Sequence, residues 1–430
     1  MERYIKPESA IIQPGGENMQ KVLDFIKRRW PETTRIHRTA EGTLLGLPHP
    51  YSVPCARPAF QEFSYRDTYF ASRGLVLDGF AEQARNNCEN LLYEVETYGF
   101  VPAGNRTFHL NRSQPPFLAP MIELIARKFP NDREWLPRAV AGLEKEMAFW
   151  NDHRRTPCGL HHYSGNPDAA AIEEFYADCC VRRPGCPAEE ADPAARRAAA
   201  LHALAEAESG WDFTPRFEHR CLDYAPIDLN VLMYIARREI SLLYRDLGDL
   251  GHAMEWEQRA EIRRNLINRY CWNEERGVFL DYDFVNKRHS PVFSAASLFP
   301  LWASLATPEQ AESTLFAAEK YLECDYGLAA CEPGKSDRQC RWDYPNGWAP
   351  LQLIAIEAFD RNGFTEAARR LAQKYVDLVT ANFEKTGELW EKYNVADGTV
   401  DIRGTHPMPA MMGWTAGVFV CAADYLSRSR

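Results

Sequence analysis

Three widely separated segments repeat one apolar spacing, and that spacing commits the chain to long amphipathic helices. Leu136, Ala139, Val140, Leu143, Met147 and Trp150 form the first. Leu229, Leu232, Met233, Ala236, Ile240 and Leu243 form the second, and Phe364, Ala367, Ala368, Leu371, Tyr375 and Leu378 the third. Each runs i, i+3, i+4, i+7, i+11, i+14, which places one stripe on one face of a helix. Weaker versions cover 19–29, 80–97, 118–128, 252–269, 307–321, 345–360 and 410–427. Thr307-Pro308-Glu309-Gln310 reads as a helix start, with Thr as N-cap, Pro at the first helical position and Gln reaching back to the cap.

About a dozen helices follow from these patterns. Strand candidates are short, at 277–283 and 42–47. No glycine-rich loop follows a strand, which excludes nucleotide-binding α/β folds. No long linker interrupts the chain, and the Ala-rich 188–207 stretch reads as a helix with charged faces. One all-α domain over 1–430 is expected, with 1–50 as an N-terminal extension packing on it. Antiparallel helix pairs closed into a toroid would fit the helix count.

With 430 residues, 45% of them hydrophobic, the chain can bury a large core. The formal net charge of -10 argues against nucleic acid or an anionic membrane as partner. Met1-Glu2-Arg3-Tyr4-Ile5-Lys6-Pro7 has no apolar run, so no signal peptide is expected. No stretch approaches ~18 uncharged apolar residues, so no membrane span is expected. A cytoplasmic location is therefore expected, with most of the 12 cysteines reduced. Aromatic residues make up 12% of the chain. Such rings stack on pyranose faces, although core packing must account for most of them.

The chemistry of glycoside hydrolysis needs two carboxyl groups in different environments, one to protonate the leaving oxygen and one ionised. Acidic residues are too many for a blind choice, so flanking sequence must narrow it. In Glu208-Ser209-Gly210-Trp211-Asp212-Phe213-Thr214-Pro215-Arg216-Phe217, Asp212 lies between two large rings in a loop after a helix. Such rings can exclude water and raise a carboxyl pKa, as an acid requires. The blander reading is a helix cap or an ion pair with Arg216.

This segment resembles the one that carries the catalytic acid in the trehalase family, and five more blocks agree in order. Phe60-Gln61-Glu62-Phe63-Ser64-Tyr65-Arg66-Asp67-Thr68-Tyr69-Phe70 resembles the first family signature. Gly104-Asn105-Arg106 and Arg112-Ser113-Gln114-Pro115-Pro116 resemble two further elements. Arg341-Trp342-Asp343-Tyr344-Pro345-Asn346-Gly347-Trp348 opens the second signature. Glu391-Lys392-Tyr393-Asn394-Val395 is similar to the block that holds the family's base, and Gly413-Trp414-Thr415-Ala416-Gly417-Val418 to the element after it. The resemblance implies an (α/α)6 barrel, an inverting mechanism and no cofactor, with Asp212 as general acid and Glu391 as general base. Its matched positions mark Phe60, Tyr65, Arg66, Asp67, Asn105, Arg112, Gln114, Trp211, Arg216, Arg341, Trp342, Asp343 and Trp414 as candidate substrate-binding residues. The implied substrate is trehalose, a related glucose disaccharide or a glucosyl conjugate.

The chain also departs from the family pattern. Ala59 stands where the family has a sugar-binding Arg, and Arg66 where it has Trp. Ala103 replaces an Asn, and Arg341 a Gln. The lid before Gly413 reads Gly404-Thr405-His406-Pro407-Met408-Pro409, with no acidic residue. The family's Arg-Pro-Glu-Ser element is missing between 160 and 200. Each lost buried partner costs ~1–3 kcal/mol, so weak activity on trehalose itself is expected, and better activity on another α-glucoside with an acidic or smaller aglycone.

The 153–186 region holds His153, Cys158, His161, His162, Cys179, Cys180 and Cys186. Without a Cys-x-x-Cys pair its spacing does not suit zinc, and no metal is expected. Two other functions compete. A sugar epimerase on the same toroid would use a histidine pair, drawn from His109, His161, His162, His219 and His406. A catalytically inactive sugar-binding relative would have no chemical reason to keep both Asp212 and Glu391.

Overall fold

The computed structural model describes residues 16–56, 59–178, 192–334, 340–401, 408–411 and 413–428. Among them are fourteen helices, in chain order α1 (Glu17–Arg29), α2 (Tyr65–Leu77), α3 (Ala81–Tyr98), α4 (Leu118–Lys128), α5 (Leu136–His153), α6 (Ala169–Asp178) and α7 (Pro193–Ser209). The second half contributes α8 (Ile227–Leu247), α9 (Leu250–Cys271), α10 (Phe299–Trp302), α11 (Pro308–Tyr321), α12 (Ala349–Arg361), α13 (Thr365–Thr386) and α14 (Gly413–Arg428). All three strong stripes are helical, in α5, α8 and α13, as the periodicity predicts. At the start of α11 the Thr307 hydroxyl accepts from the Gln310 amide at 3.2 Å, while the Gln310 side chain accepts from the Thr307 amide at 3.0 Å. The cap written in the sequence is thus made reciprocally.

Packing closes the helices into a ring. Helices α2, α4, α8, α10, α12 and α14 each touch the next, and α14 returns to α2. Helix α3 backs onto α2 and α4, α5 onto α4 and α8, α9 onto α8, and α13 onto α12 and α14. Helix α11 packs on the short 3-10 turn that leads into α10. Helix α1 lies against α13 and α14, so part of the expected N-terminal extension fills an outer position. Two concentric layers of six make an (α/α)6 barrel. Helices α6 and α7 pair with each other outside this set, over their own small cluster of Ile172, Tyr176, Ala200 and Ala203. A single apolar cluster runs from Met19 to Leu426 through the barrel.

The ring seam between α14 and α2 depends on two glycines. A Cβ on Gly417 would collide with the Phe70 carbonyl oxygen, and one on Gly74 would lie 2.5 Å from the Gly417 Cα. The backbones therefore approach as closely as backbone atoms allow.

Strand structure is confined to short ribbons between helices. The 277–283 candidate holds two of them, Val278–Phe279 and Tyr282–Asp283. The 42–47 candidate forms no strand, and only Leu44 makes isolated bridges, to Glu41 and Arg106. More consequential is the pairing of Asn346–Trp348 with Lys392–Asn394, which sets Trp348 opposite Lys392. It ties the segment entering α12 to the segment carrying Glu391.

Candidate active site

Consecutive inner helices are separated by an outer helix, so they run in the same direction, and their N-terminal ends meet at one mouth. Arg66 and Asp67 lie in the first turn of α2, Gln114 precedes α4, Trp348 caps α12 and Trp414 lies in the first turn of α14. Asp212 enters from the α7–α8 connection and Glu391 from the α13–α14 connection. These residues line one cavity of about 250 Å³, together with Phe60, Arg112, Arg341 and Trp342.

The floor is aromatic. Trp342 and Trp348 stack in parallel at 3.8 Å, and Trp414 meets both edge-on, at 6.2 and 5.7 Å. Trp211 tilts against Trp342 at 5.0 Å. Such a cluster is rigid, and an apolar sugar face can lie on it.

Asp212 stands partly exposed at the cavity wall. Its flanking rings do not enclose it as the local sequence suggests. Trp211 turns away into the aromatic cluster and onto Arg216 at 4.2 Å, and the Phe213 ring faces the Arg341 guanidinium at 5.0 Å. The backbone before Asp212 is held firmly. Glu208, fully buried, binds Arg154 through both oxygens and accepts from the Ser113 and Ser164 amides. Gly210 takes a left-handed φ of 70°, and its carbonyl accepts from the Arg66 guanidinium at 2.8 Å. Any Cβ at Gly210 would overlap that guanidinium.

Glu391 is fixed at its carboxylate and at its backbone. Lys392 forms an ion pair with its carboxylate. The Lys392 ammonium sits 4.8 Å over the Trp348 ring. The Trp414 indole donates to the Glu391 backbone carbonyl at 3.0 Å. Asp67 lies close enough for its charge and that of Glu391 to oppose each other. Burial raises the Asp67 pKa, Arg66 pulls it back, and Glu391 pushes it up again. Its carboxylate accepts from the Ser64 hydroxyl at 2.9 Å.

The two arginines that replace uncharged family residues behave differently. Arg66 is buried, spends its guanidinium on Gly210 and lies 4.7 Å over Trp342. Its backbone amide donates to the Gln114 side chain at 3.1 Å. Arg341 lines the cavity, and its guanidinium, among the described residues, has no carboxylate within ion-pair distance.

Five sequence candidates lie outside the cavity lining. Asn105 spends its amide on backbone, accepting from Phe63 at 2.7 Å and donating to Leu45 at 2.9 Å. The Tyr65 hydroxyl donates to Glu146 at 2.5 Å and accepts from the Leu118 amide. Arg216 is fully buried between Asp228 and Asp281. Asp343 accepts from the Tyr344 amide, and Trp211 supports the floor from behind. These residues shape the site without facing it. Conversely, Glu62, Ser64, His109 and Trp348 do line it. Three of them lie inside the matched blocks, so the signal was present. His109 lies between blocks, and nothing local marks it. Burial and then the charges of Arg112 and Arg106 lower its pKa to about 3, so its imidazole is neutral. Among the described residues it is the one histidine lining the cavity. His406 lies outside the described residues, as do Cys179, Cys180, Cys186 and the 402–407 part of the lid.

A closed double ring of helices with two carboxylates and an aromatic floor at one mouth defines a class, the (α/α)6-barrel glycoside hydrolases. The trehalase family model matches residues 8–427, and the chain belongs to the trehalase family. It is 32% identical to a periplasmic trehalase of Salmonella schwarzengrund over 451 aligned positions, covering 98% of this chain and 76% of that protein. The structure of a neutral trehalase from Saccharomyces cerevisiae superposes with a TM-score of 0.75 at 30% identity, covering 94% of this chain and 80% of that one. A GH63 mannosylglycerate hydrolase from Thermus thermophilus shares the fold at 18% identity, with a TM-score of 0.63 over 94% of this chain and 99% of that one.

Proposed function

We propose that this glycoside hydrolase inverts its α-glucoside substrate, with Asp212 protonating the leaving oxygen and Glu391 activating the attacking water. The observation that carries this reading is that the two carboxylates, 179 positions apart in sequence (391 − 212), open on one cavity. The Trp342–Trp348–Trp414 floor orients the sugar, and the Lys392 ion pair holds the Glu391 carboxylate in place. Arg66 fixes the Gly210 carbonyl and hence the approach of Asp212. The whole chain acts as one catalytic domain.

The aglycone is proposed to be acidic or smaller than glucose. Arg341 supports this, because an arginine lining the cavity with no carboxylate partner among the described residues suits a carboxylate or a hydroxyl-rich group. Ala103 and Ala59 replace polar family residues and remove contacts. A panel of α,α-trehalose, other glucose disaccharides and glucosylglycerate, assayed for released glucose, tests both levels. Release from none of them contradicts hydrolysis, and selective trehalose cleavage contradicts the specificity.

No helix among the described residues is long and apolar enough to cross a membrane. A reducing compartment is proposed, because Cys88, Cys158, Cys221, Cys271, Cys324, Cys331 and Cys421 are free thiols. Cell fractionation with thiol labelling would settle this, since disulfides in the native protein would contradict it.

A further inference from the structure

Outside the catalytic cavity, the outer wall between α5, α8 and α9 buries positive charge without neutralising it. Arg237 of α8 and Arg263 of α9 are 6% and 4% exposed. The charges acting on Arg237 are those of Arg263, Arg259 and Arg155, all of like sign. Among the described residues, neither guanidinium reaches a carboxylate. Their hydrogen bonds go to neutral acceptors, Arg237 to the Met233 carbonyl and to Asn151 Oδ1 at 3.3 Å, Arg263 to Asn230 Oδ1 at 2.9 Å.

The same two asparagines hold His161. Its Nε2 lies 3.2 Å from Asn151 Oδ1, and its backbone amide donates to Asn230 Oδ1 at 2.8 Å. His161 and the two arginines therefore form one cluster around shared acceptors. A buried donor remains unused within it, since Arg263 Nε has no partner. At the rim, Arg155 bridges His161 through the backbone and Arg259 sits over Trp256, both with exposed side chains. Burial and Arg155 bring the Arg263 pKa down to about 10, and burial lowers that of Arg237 as well. A guanidinium nevertheless keeps its proton at neutral pH, so both arginines are charged.

Uncompensated buried cations are costly, and an ordinary structural arginine has a carboxylate partner, as Arg216 and Arg154 do here. We propose that this cluster is a binding site for a phosphate-class oxyanion, either free phosphate or the phosphoryl group of a small phosphate ester. Two guanidinium forks match the several acceptor oxygens of such an anion, and the exposed Arg155 and Arg259 provide its entry. The site shares the 154–165 loop with the Arg154–Glu208 pair that anchors the segment before Asp212, so binding would also stiffen that anchor.

The test is thermal unfolding of the full chain in sodium phosphate against sodium chloride at equal pH and ionic strength, with a parallel arm in glucose 6-phosphate. A Tm rise of roughly 2–5 °C at millimolar phosphate is expected. Arg263→Gln should lose the rise, and in chloride it should be at least as stable as the parent because like-charge repulsion is relieved. Arg155→Gln, at an exposed position where folding is not at stake, should weaken phosphate binding roughly tenfold. A larger rise with the sugar phosphate assigns the ester, and an equal or smaller one the free ion. No phosphate-specific rise in the parent protein overturns the proposal. So does a rise that survives Arg263→Gln but disappears in Arg341→Gln, which would place the anion in the catalytic cavity.

Discussion

At the scale of single residues, the site separates groups that face the sugar from groups that aim them. Asp212→Asn and Glu391→Gln should each lower kcat by roughly 100- to 10,000-fold, the range of a proton-transfer group, with little change in Tm. Near-normal turnover in either variant would remove that carboxyl from the mechanism. Arg66 and Arg341 should differ in kind. Arg66 acts through the Gly210 carbonyl, so Arg66→Gln should lower kcat alike on neutral and anionic substrates. Arg341→Gln should raise KM about 10- to 100-fold for an anionic aglycone and spare neutral ones, the worth of one charged hydrogen bond. Equal effects of Arg341→Gln on both substrate types would contradict the specificity reading. The motif blocks located this neighbourhood but not the direction of each side chain. Tyr65 and Arg66 are consecutive on α2, and about 100° of helical rotation sends one to Glu146 and the other to the cavity. Asn105 and Arg216 are motif residues too, but their work is to hold backbone and buried carboxylates.

At the scale of elements, legibility followed the alternation of apolar and polar residues rather than place in the ring, since the inner helix α8 shows its stripe as plainly as two outer helices. The outer helices α5 and α13 each have a wet face, so their apolar stripes stand out. Helix α2 is buried at Tyr65, Arg66, Thr68, Tyr69, Phe70, Ala71, Ser72, Gly74 and Leu75, which is nearly all round, and no stripe marks it. Helix α10 has four residues, all buried, too few to show any period. The α11 cap was legible because its chemistry is local. Thr307→Ala should cost about 0.5–2 kcal/mol in denaturant unfolding and leave kcat unchanged. Gly417→Ala should cost more, about 1–3 kcal/mol, because the α14–α2 seam must part to admit a methyl group. A neutral Gly417→Ala would show that the seam can yield.

At the scale of the whole molecule, ring closure carries a pH dependence. Arg73 of α2 pairs with Glu357 of α12, which also accepts from the Trp302 indole of α10 at 2.8 Å. Burial alone would raise the Glu357 pKa, but Arg73 and Arg361 outweigh it and bring it from 4.5 to about 2. Its contribution is therefore complete above pH 4.5 and lost as pH falls towards 2. Glu146, raised by burial from 4.5 to about 7, behaves oppositely, stabilising below pH 4.5 and losing that contribution as pH rises to 7. Tm against pH should accordingly show an acid limb flattened by Glu357→Gln and a limb between pH 4.5 and 7 flattened by Glu146→Gln. A profile that neither substitution alters would contradict this. Closure itself was not legible, because periodicity describes each helix alone and says nothing of how the last meets the first.

Hydrolysis with inversion by the Asp212–Glu391 pair fixes the anomer of each product, which proton NMR of the first glucose released from α,α-trehalose reads out. Attack of water on one anomeric carbon from the opposite face gives β-glucose, while the departing sugar leaves as α-glucose. Equal initial amounts of the two anomers, before mutarotation, are expected. Initial product consisting of α-glucose alone would mean retention, and the assignment of Glu391 as a base acting on water would be wrong.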